Sequence, residues 1–98
     1  MGGAGLTVRW LAEVRVALRP GIADPEGLTV ASALRSLGYA SVSDVRSGKL
    51  LRIGFEAEDR TAAEAVLGDM CRRLLANPVM EVATWELAPE AEPAGVTR

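Results

Sequence analysis

The feature that most constrains this chain is a stretch of strict alternation near its start. Trp10, Ala12, Val14, Val16 and Leu18 alternate with Leu11, Glu13, Arg15, Ala17 and Arg19. A period of two is the signature of a strand that buries one face and leaves the other open. Pro20-Gly21 ends it, because proline withholds a backbone donor and the pair favours a turn. In a chain of 98 residues, such a strand belongs to a single domain with one modest core.

The elements that follow have their own local causes. Asp24-Pro25 is a helix start: aspartate caps the first amides, and proline sits where no amide hydrogen is needed. Val30, Ala33, Leu34 and Leu37 share one side of that helix, and Gly38 closes it in a position suited to positive φ. Leu28 lies beside Arg35, off the stripe. Ser41 to Glu58 reads as a hairpin opened by Val42 and Val45, turned at Ser47-Gly48, and continued by Leu51, Ile53, Phe55 and Ala57. A second helix starts at Asp59 or at the capping box Thr61-Ala62-Ala63-Glu64. Its expected stripe is Ala63, Val66, Leu67, Met70 and Leu74, with Cys71 and Leu75 on one shoulder. Asn77-Pro78 stops it. A last strand spans about Val79 to Leu87, with Met80 and Val82 pointing one way and Ala83, Trp85 and Leu87 the other. A bulge near Val82, or burial of both faces in an oligomer, would account for that broken alternation.

The expected architecture is therefore α+β: a ferredoxin-like βαββαβ domain over residues 10–87, with two helices on one face of a four-stranded antiparallel sheet. Residues 1–9 are expected to form a flexible leader and residues 88–98, with two prolines, a flexible tail. The outward sheet positions mix Leu11, Ala17, Leu50 and Gly54 with Glu13, Arg15 and Arg52. That face is greasier than water alone requires, so oligomerisation through the sheet is expected.

Composition removes whole classes of chemistry. There is no histidine, which excludes imidazole acid–base catalysis, histidine-containing triads and nearly all zinc sites. One cysteine, Cys71, permits no internal disulfide, in keeping with a cytoplasmic protein. A net charge of −2 argues against a nucleic-acid face. Base stacking would also need aromatics on the outer sheet face, and Phe55 points inward. No apolar run approaches the ~18 residues of a membrane span, and the Gly-rich start is neither a signal peptide nor a myristoylation site.

Few motifs survive comparison with ordinary structural roles. Ser47-Gly48-Lys49 lacks the glycine at 43 and the hydroxyl at 50 that a phosphate loop requires, so it reads as a turn. The loop Arg19–Pro25 has no dinucleotide fingerprint. What plain connection leaves over there is its length and the apolar Ile22 at its centre, which suits a docking loop. Cys71, beside an apolar helix face, reads as packing. Asp24, Asp44, Asp59 and Asp69 sit at caps, turns or the wet helix face and form no pair for acid–base work. The residues alone reach a small, self-associating α+β domain that lacks the parts of an active site; an ACT-like small-molecule-sensing domain using the Pro20–Asp24 loop and a small dimeric enzyme leaning on Arg, Asp or Tyr39 are the readings that compete with a protein-binding role.

Four ordered blocks narrow this. Val14–Gly27 (VRVALRPGIADPEG), Ala33–Tyr39 (ALRSLGY), Asp44–Lys49 (DVRSGK) and Met70–Val79 (MCRRLLANPV) resemble, in order and spacing, the PurS family. These are small subunits of phosphoribosylformylglycinamidine synthase in purine biosynthesis, and the likeness spans about residues 10–87. The resemblance implies no catalytic, cofactor or metal residues in this chain. It implies self-association as a dimer or tetramer, and a role bridging a glutaminase subunit and a synthetase subunit while assisting ammonia transfer. ATP and Mg²⁺ would belong to the synthetase subunit. Carried over by position, the interface candidates are Arg19, Pro20, Gly21, Asp24 and Pro25 in the loop, and Arg46, Gly48 and Lys49 at the turn. Leu28 departs from the family pattern, as do the two long ends.

Overall fold

A computed structural model describes residues 7–90, so the far ends of the expected leader and tail lie outside the described residues. Three strands form one antiparallel sheet: β1 (Val8–Leu18), β2 (Gly48–Ala57) and β3 (Glu81–Pro89), in the order β2-β1-β3. Helix α1 (Pro25–Ser36) lies in the long connection between β1 and β2. Helix α2 (Arg60–Met70) connects β2 to β3, and its last turn, Cys71–Leu75, widens to an i→i+5 pattern.

β1 is central because both neighbours pair along nearly its whole length, from Val8↔Ala57 to Ala17↔Gly48 on one side and Trp10↔Pro89 to Leu18↔Glu81 on the other. The alternation expected of it is present: Trp10, Ala12, Val14 and Val16 are buried. Ile53 and Leu87 flank Ala12, and Leu51 and Trp85 flank Val14, on one face. α2 lays Leu67 and Cys71 on that surface. Ala63 joins a second cluster with Trp10 and Ala57. The Trp10 indole N–H donates to the Ala57 carbonyl at 3.2 Å, and the Arg60 guanidinium lies over its ring at 5.4 Å. The strand ends run slightly past expectation, to Val8 at the start of β1 and Pro89 at the end of β3.

Three expectations are corrected. First, the sheet has three strands among the described residues, in place of the four of the expected ferredoxin-like arrangement. Residues 41–47, read as the first arm of a hairpin, are irregular, and only the Gly48–Ala57 arm is a strand. Their polar groups bind the start of α1 and the preceding loop instead of a neighbouring strand. Second, only one helix covers the sheet: neither core cluster contains a residue of α1. Third, β3 has no bulge against β1, since the register is continuous from Glu81 to Pro89. Met80 belongs to a turn, where its N–H and that of Glu81 both donate to the Asn77 carbonyl. Counting it as strand caused the broken alternation; Ala83, Trp85 and Leu87 are half-buried and Val82 faces outward.

The two helices also differ from expectation in what they bury. In α2 the inward line is Ala63, Leu67 and Cys71, so Cys71 is central to the core, and Val66 and Leu74 are exposed. Its N-cap is Asp59, whose carboxylate accepts from Ala62 N–H at 2.9 Å, rather than the Thr61 box. In α1 the buried residues are Gly27 and Ala31, and Val30, Ala33 and Leu37 face outward. Gly38 has φ +107°; its N–H donates to Arg35 and that of Tyr39 to Leu34. This paired closure is the left-handed helix stop that glycine permits.

Candidate functional site

The residues singled out in the loop and at the turn are 20 to 30 positions apart in sequence and meet at one end of the sheet. Arg19–Ile22 is a β-turn: Ile22 N–H donates to Arg19 O at 3.1 Å, Pro20 is its second residue and Gly21 its third, with φ +88°. That is the geometry of a type II turn, which proline presets and which only glycine enters without strain. The turn delivers Asp24, only 4% exposed, to the start of α1.

Asp24 is the centre of the cluster. Its Oδ1 accepts from Gly27 N–H at 2.9 Å and from the Ser47 hydroxyl at 2.8 Å, while Oδ2 accepts from Ser47 N–H at 2.7 Å. Arg46 Nε stands 3.9 Å from Oδ2. The backbone amide of Gly27, then the amide and hydroxyl of Ser47, hold the carboxyl below the usual aspartate range, with Arg46 adding to them against the effect of burial. Arg46 also donates to the carbonyls of Ile22 (3.2 Å) and Arg19 (3.3 Å). Arg19 turns the other way, donating to Pro78 O from Nε at 3.2 Å and from its terminal nitrogen at 2.8 Å, while its own N–H donates to Met80 O.

Arg19, Asp24 and Arg46 are thus bound to each other's neighbourhoods, and the donors of Arg46 expected to face a partner are engaged within the chain. Pro25 occupies the first position of α1. Gly48 opens β2 where an added Cβ would lie 2.7 Å from Val16 O. Lys49 is a strand residue opposite Val16, exposed on the rim of a hollow of about 320 Å³ that Glu26, Ser47 and Glu81 also line. Sequence reasoning missed Ser47 and Gly27. Gly27 had a readable signal: a glycine inside a helix costs about 1 kcal/mol and needs a reason. The reason is Val45 O, which a Cβ on Gly27 would meet at 2.2 Å.

The remaining candidates are quiet. Burial pushes the Cys71 thiol up, with Arg72 opposing more weakly, so it stays protonated and packs. Among the described residues no three His, Cys, Asp or Glu side chains are grouped to hold a metal ion. Among the described residues no helix is long and apolar enough to cross a membrane. What stands open instead is surface. The outer sheet face carries Leu11, Leu50 and Val82 beside Glu13, which Arg52 and Arg15 bridge at 3.0 and 3.4 Å. A shallow trough of about 470 Å³ runs past Leu11, Glu13, Arg52 and Glu86. The arrangement supplies shape and apolar contact.

Comparison with known proteins now decides the family. Residues 11–89 match the family model PurS, phosphoribosylformylglycinamidine (FGAM) synthase. The chain belongs to the PurS family. The PurS subunit of Archaeoglobus fulgidus is 45% identical over 71 residues, covering 72% of this chain and 89% of that protein. Bacillus subtilis PurS in its C2 crystal form superposes with a TM-score of 0.73 at 37% identity, covering 81% of this chain and 98% of that one. The PurLQS structure from Thermotoga maritima contains a chain that matches with a TM-score of 0.71 at 30% identity, covering 83% and 96%. Both limbs of the Asp24 cluster fall inside the PurS match, as do the four sequence blocks that resembled this family. Membership also separates the classes left open by the residues, in favour of the enzyme-subunit reading over the sensing domain.

Proposed function

We propose that this chain acts by assembly. It is the PurS subunit of FGAM synthase, an enzyme of purine biosynthesis. In this reading it bridges the glutaminase and synthetase subunits in the cytoplasm and assists the passage of ammonia between them. ATP, Mg²⁺ and the ribonucleotide substrate are held by the synthetase. The observation that carries the reading is where the apolar surface lies: α1 turns Val30, Ala33 and Leu37 outward, and the sheet leaves Leu11, Leu50 and Val82 bare. A chain with one small core and two uncovered apolar faces is built to be covered by protein.

Self-association as a dimer or tetramer covers these faces most economically, since a twofold interface places each face against its own copy. Lys49 and the Pro20-Gly21 turn remain exposed at the sheet end and are the candidates for contact with the other subunits. The turn is rigid, so docking orders little additional chain.

The test is reconstitution. Glutamine-dependent FGAM synthesis by the other two subunits is expected to rise at least tenfold when this chain is added, while synthesis from free ammonium stays within twofold. Equal glutamine-dependent rates with and without the chain would sink the assembly role. Deletion of its gene is expected to impose a purine requirement.

A further inference from the structure

Residues 25–47 leave the sheet as an arm with two limbs. One limb is α1; the other is the irregular return through Val42 and Val45. The limbs are held side by side at Gly27 and by Arg35. Gly27 and Ala31 are buried four residues apart, Gly27 lies against the Val45 carbonyl, and Arg35 donates to Val42 O at 2.9 Å. Ala31 is buried, but no residue of α1 joins either of the clusters packed on the sheet. Apolar packing therefore does not set the direction of the arm, and something else must.

We infer that Asp24 is the positioning residue of this arm: its carboxylate fixes the angle at which residues 25–47 leave the sheet. Three parts of the base converge on it. The helix start arrives through Gly27 N–H, the return limb through Ser47 N–H and Oγ–H, and the Arg19–Ile22 turn through Arg46, whose Nε stands 3.9 Å from Oδ2 and which donates to Ile22 O and Arg19 O. Arg19 carries the tie on to Pro78 and Met80, in the turn before β3. Hydrogen bonds are directional in a way that apolar contact is not, so a cluster of them holds an angle.

The rival reading is an ordinary helix cap, and the molecule contains one for comparison. Asp59 caps α2 with a single bond to Ala62 N–H and is exposed. Asp24 makes that cap and, in addition, satisfies two donors of Ser47 while buried. The cap alone needs none of the Ser47 bonds. Because the outward stripe of α1 is carried on the arm, the angle set by Asp24 also sets how a second copy is met. That last step rests on the self-association proposed above.

The experiment measures the angle and the association separately. Spin labels at Ser36→Cys and Glu56→Cys, in a Cys71→Ala background, report the arm-to-sheet distance by double electron–electron resonance. Labelled chains are diluted in unlabelled ones so that only distances within a chain are read. A single narrow distribution is expected for the parent and for Asp59→Ser. Asp24→Ser keeps a capping oxygen that is too short to reach Ser47, and its distribution is expected to widen at least twofold with helix content by circular dichroism unchanged. Arg46→Met leaves the cap intact and is expected to widen it by a smaller factor, which keeps the test valid should Asp24→Ser unravel α1. Distributions as narrow in both variants as in the parent overturn the inference. Sedimentation is expected to show association weakened at least tenfold in Asp24→Ser. Widening with unchanged association would uphold the positioning role and overturn the arm as the self-association element.

Discussion

The two helices are alike on paper and opposite in use. Each is three turns long, each is capped by an aspartate, and each carries apolar residues at helical spacing. α2 presses Ala63, Leu67 and Cys71 into the sheet, so Leu67 and its small neighbours hold the monomer together. α1 buries only Gly27, against the Val45 carbonyl of its own return limb, and Ala31, and keeps Val30 and Ala33 outside, with Leu37 exposed at its end. The difference lies in which side chains face the chain's own backbone. α2 meets a row of small and medium residues on β1 that leaves room for leucine. α1 meets the Val45 carbonyl at a distance that only glycine tolerates. An amphipathic stripe therefore states that a surface is to be covered, and leaves open whether the cover belongs to the same molecule.

The sharpest way to break the comparison is at the α2 anchor. Leu67 is 0% exposed, and Leu67→Ala removes buried methyls and leaves a cavity, at a cost of about 3 kcal/mol. A denaturant titration of the dilute protein is expected to show the unfolding free energy falling by that amount, through a lower midpoint with little change in slope. A cost under ~1 kcal/mol would mean that α2 is no better anchored than α1.

Next in size is the glycine that lets the arm close. Gly27→Ala places a methyl 2.2 Å from Val45 O and 2.9 Å from Asp24 Oδ2. The helix gains propensity from alanine, but the overlap separates the two limbs. A net loss of about 1–2 kcal/mol is expected for a forced overpacking of this kind. Hydrogen exchange is expected to locate the loss in residues 25–47, with β1 amides as protected as before. Stabilisation by Gly27→Ala would show that the arm is not closed on Val45.

How far the fold could be read follows the same division. The alternation of β1 is legible, because one face is buried and one is open; its start at Val8 is not. The helix ends were legible too, since Asp24-Pro25, Gly38 and Asn77-Pro78 act on the backbone locally. Residues 41–47 were misread because Val42 and Val45 at a spacing of three fit the opening of a hairpin as well as a return limb. What decides the matter is Asp24, about twenty residues earlier, which binds Ser47 N–H and Oγ–H and draws the segment away from any strand. Within the candidate site, Arg19, Asp24 and Arg46 were found as sequence matches and prove to be neighbours. Ser47 reads in sequence as a turn residue, since nothing local announces a bond across 23 positions. The engagement of Arg46 with carbonyls was equally hidden, because a guanidinium reads the same in sequence whether it faces a partner or its own backbone.

The comparison can be sharpened with acid. Folded Asp24 has its pKa lowered from the ordinary value of 3.8, chiefly by the Gly27 amide and the two Ser47 donors. A group ionised more readily when folded contributes stability that is present above the unfolded pKa and disappears as pH falls through the folded one. The arm is therefore expected to loosen only below about pH 3.8 and to be insensitive to pH around neutrality. Asp24→Asn puts an amide N–H₂ toward Ser47 N–H, so the variant is expected to behave at pH 7 as the parent does in acid, with no further acid step at this site. Amide exchange of residues 25–47 across pH 2–7, corrected for intrinsic rates, reads this. An acid step of equal size in the variant would assign the titration to another carboxylate.

The smallest expected effect is the most discriminating, because it repeats the α2 experiment on the other helix with the same residue type. Leu37 follows α1 and is 74% exposed. If its side chain serves only a second copy, Leu37→Ala costs the dilute monomer no more than about 0.5 kcal/mol, the range of an ordinary surface change. The assembled protein is a different reference state: binding adds stability in proportion to the logarithm of concentration over the dissociation constant. Parent and variant are therefore expected to have coincident unfolding curves at high dilution. On concentration the curves are expected to separate, the parent gaining stability faster. Coincidence at every concentration would leave Leu37 outside the association surface. Separation already complete at high dilution would mean that the leucine packs within its own chain, and that α1 is a core helix after all.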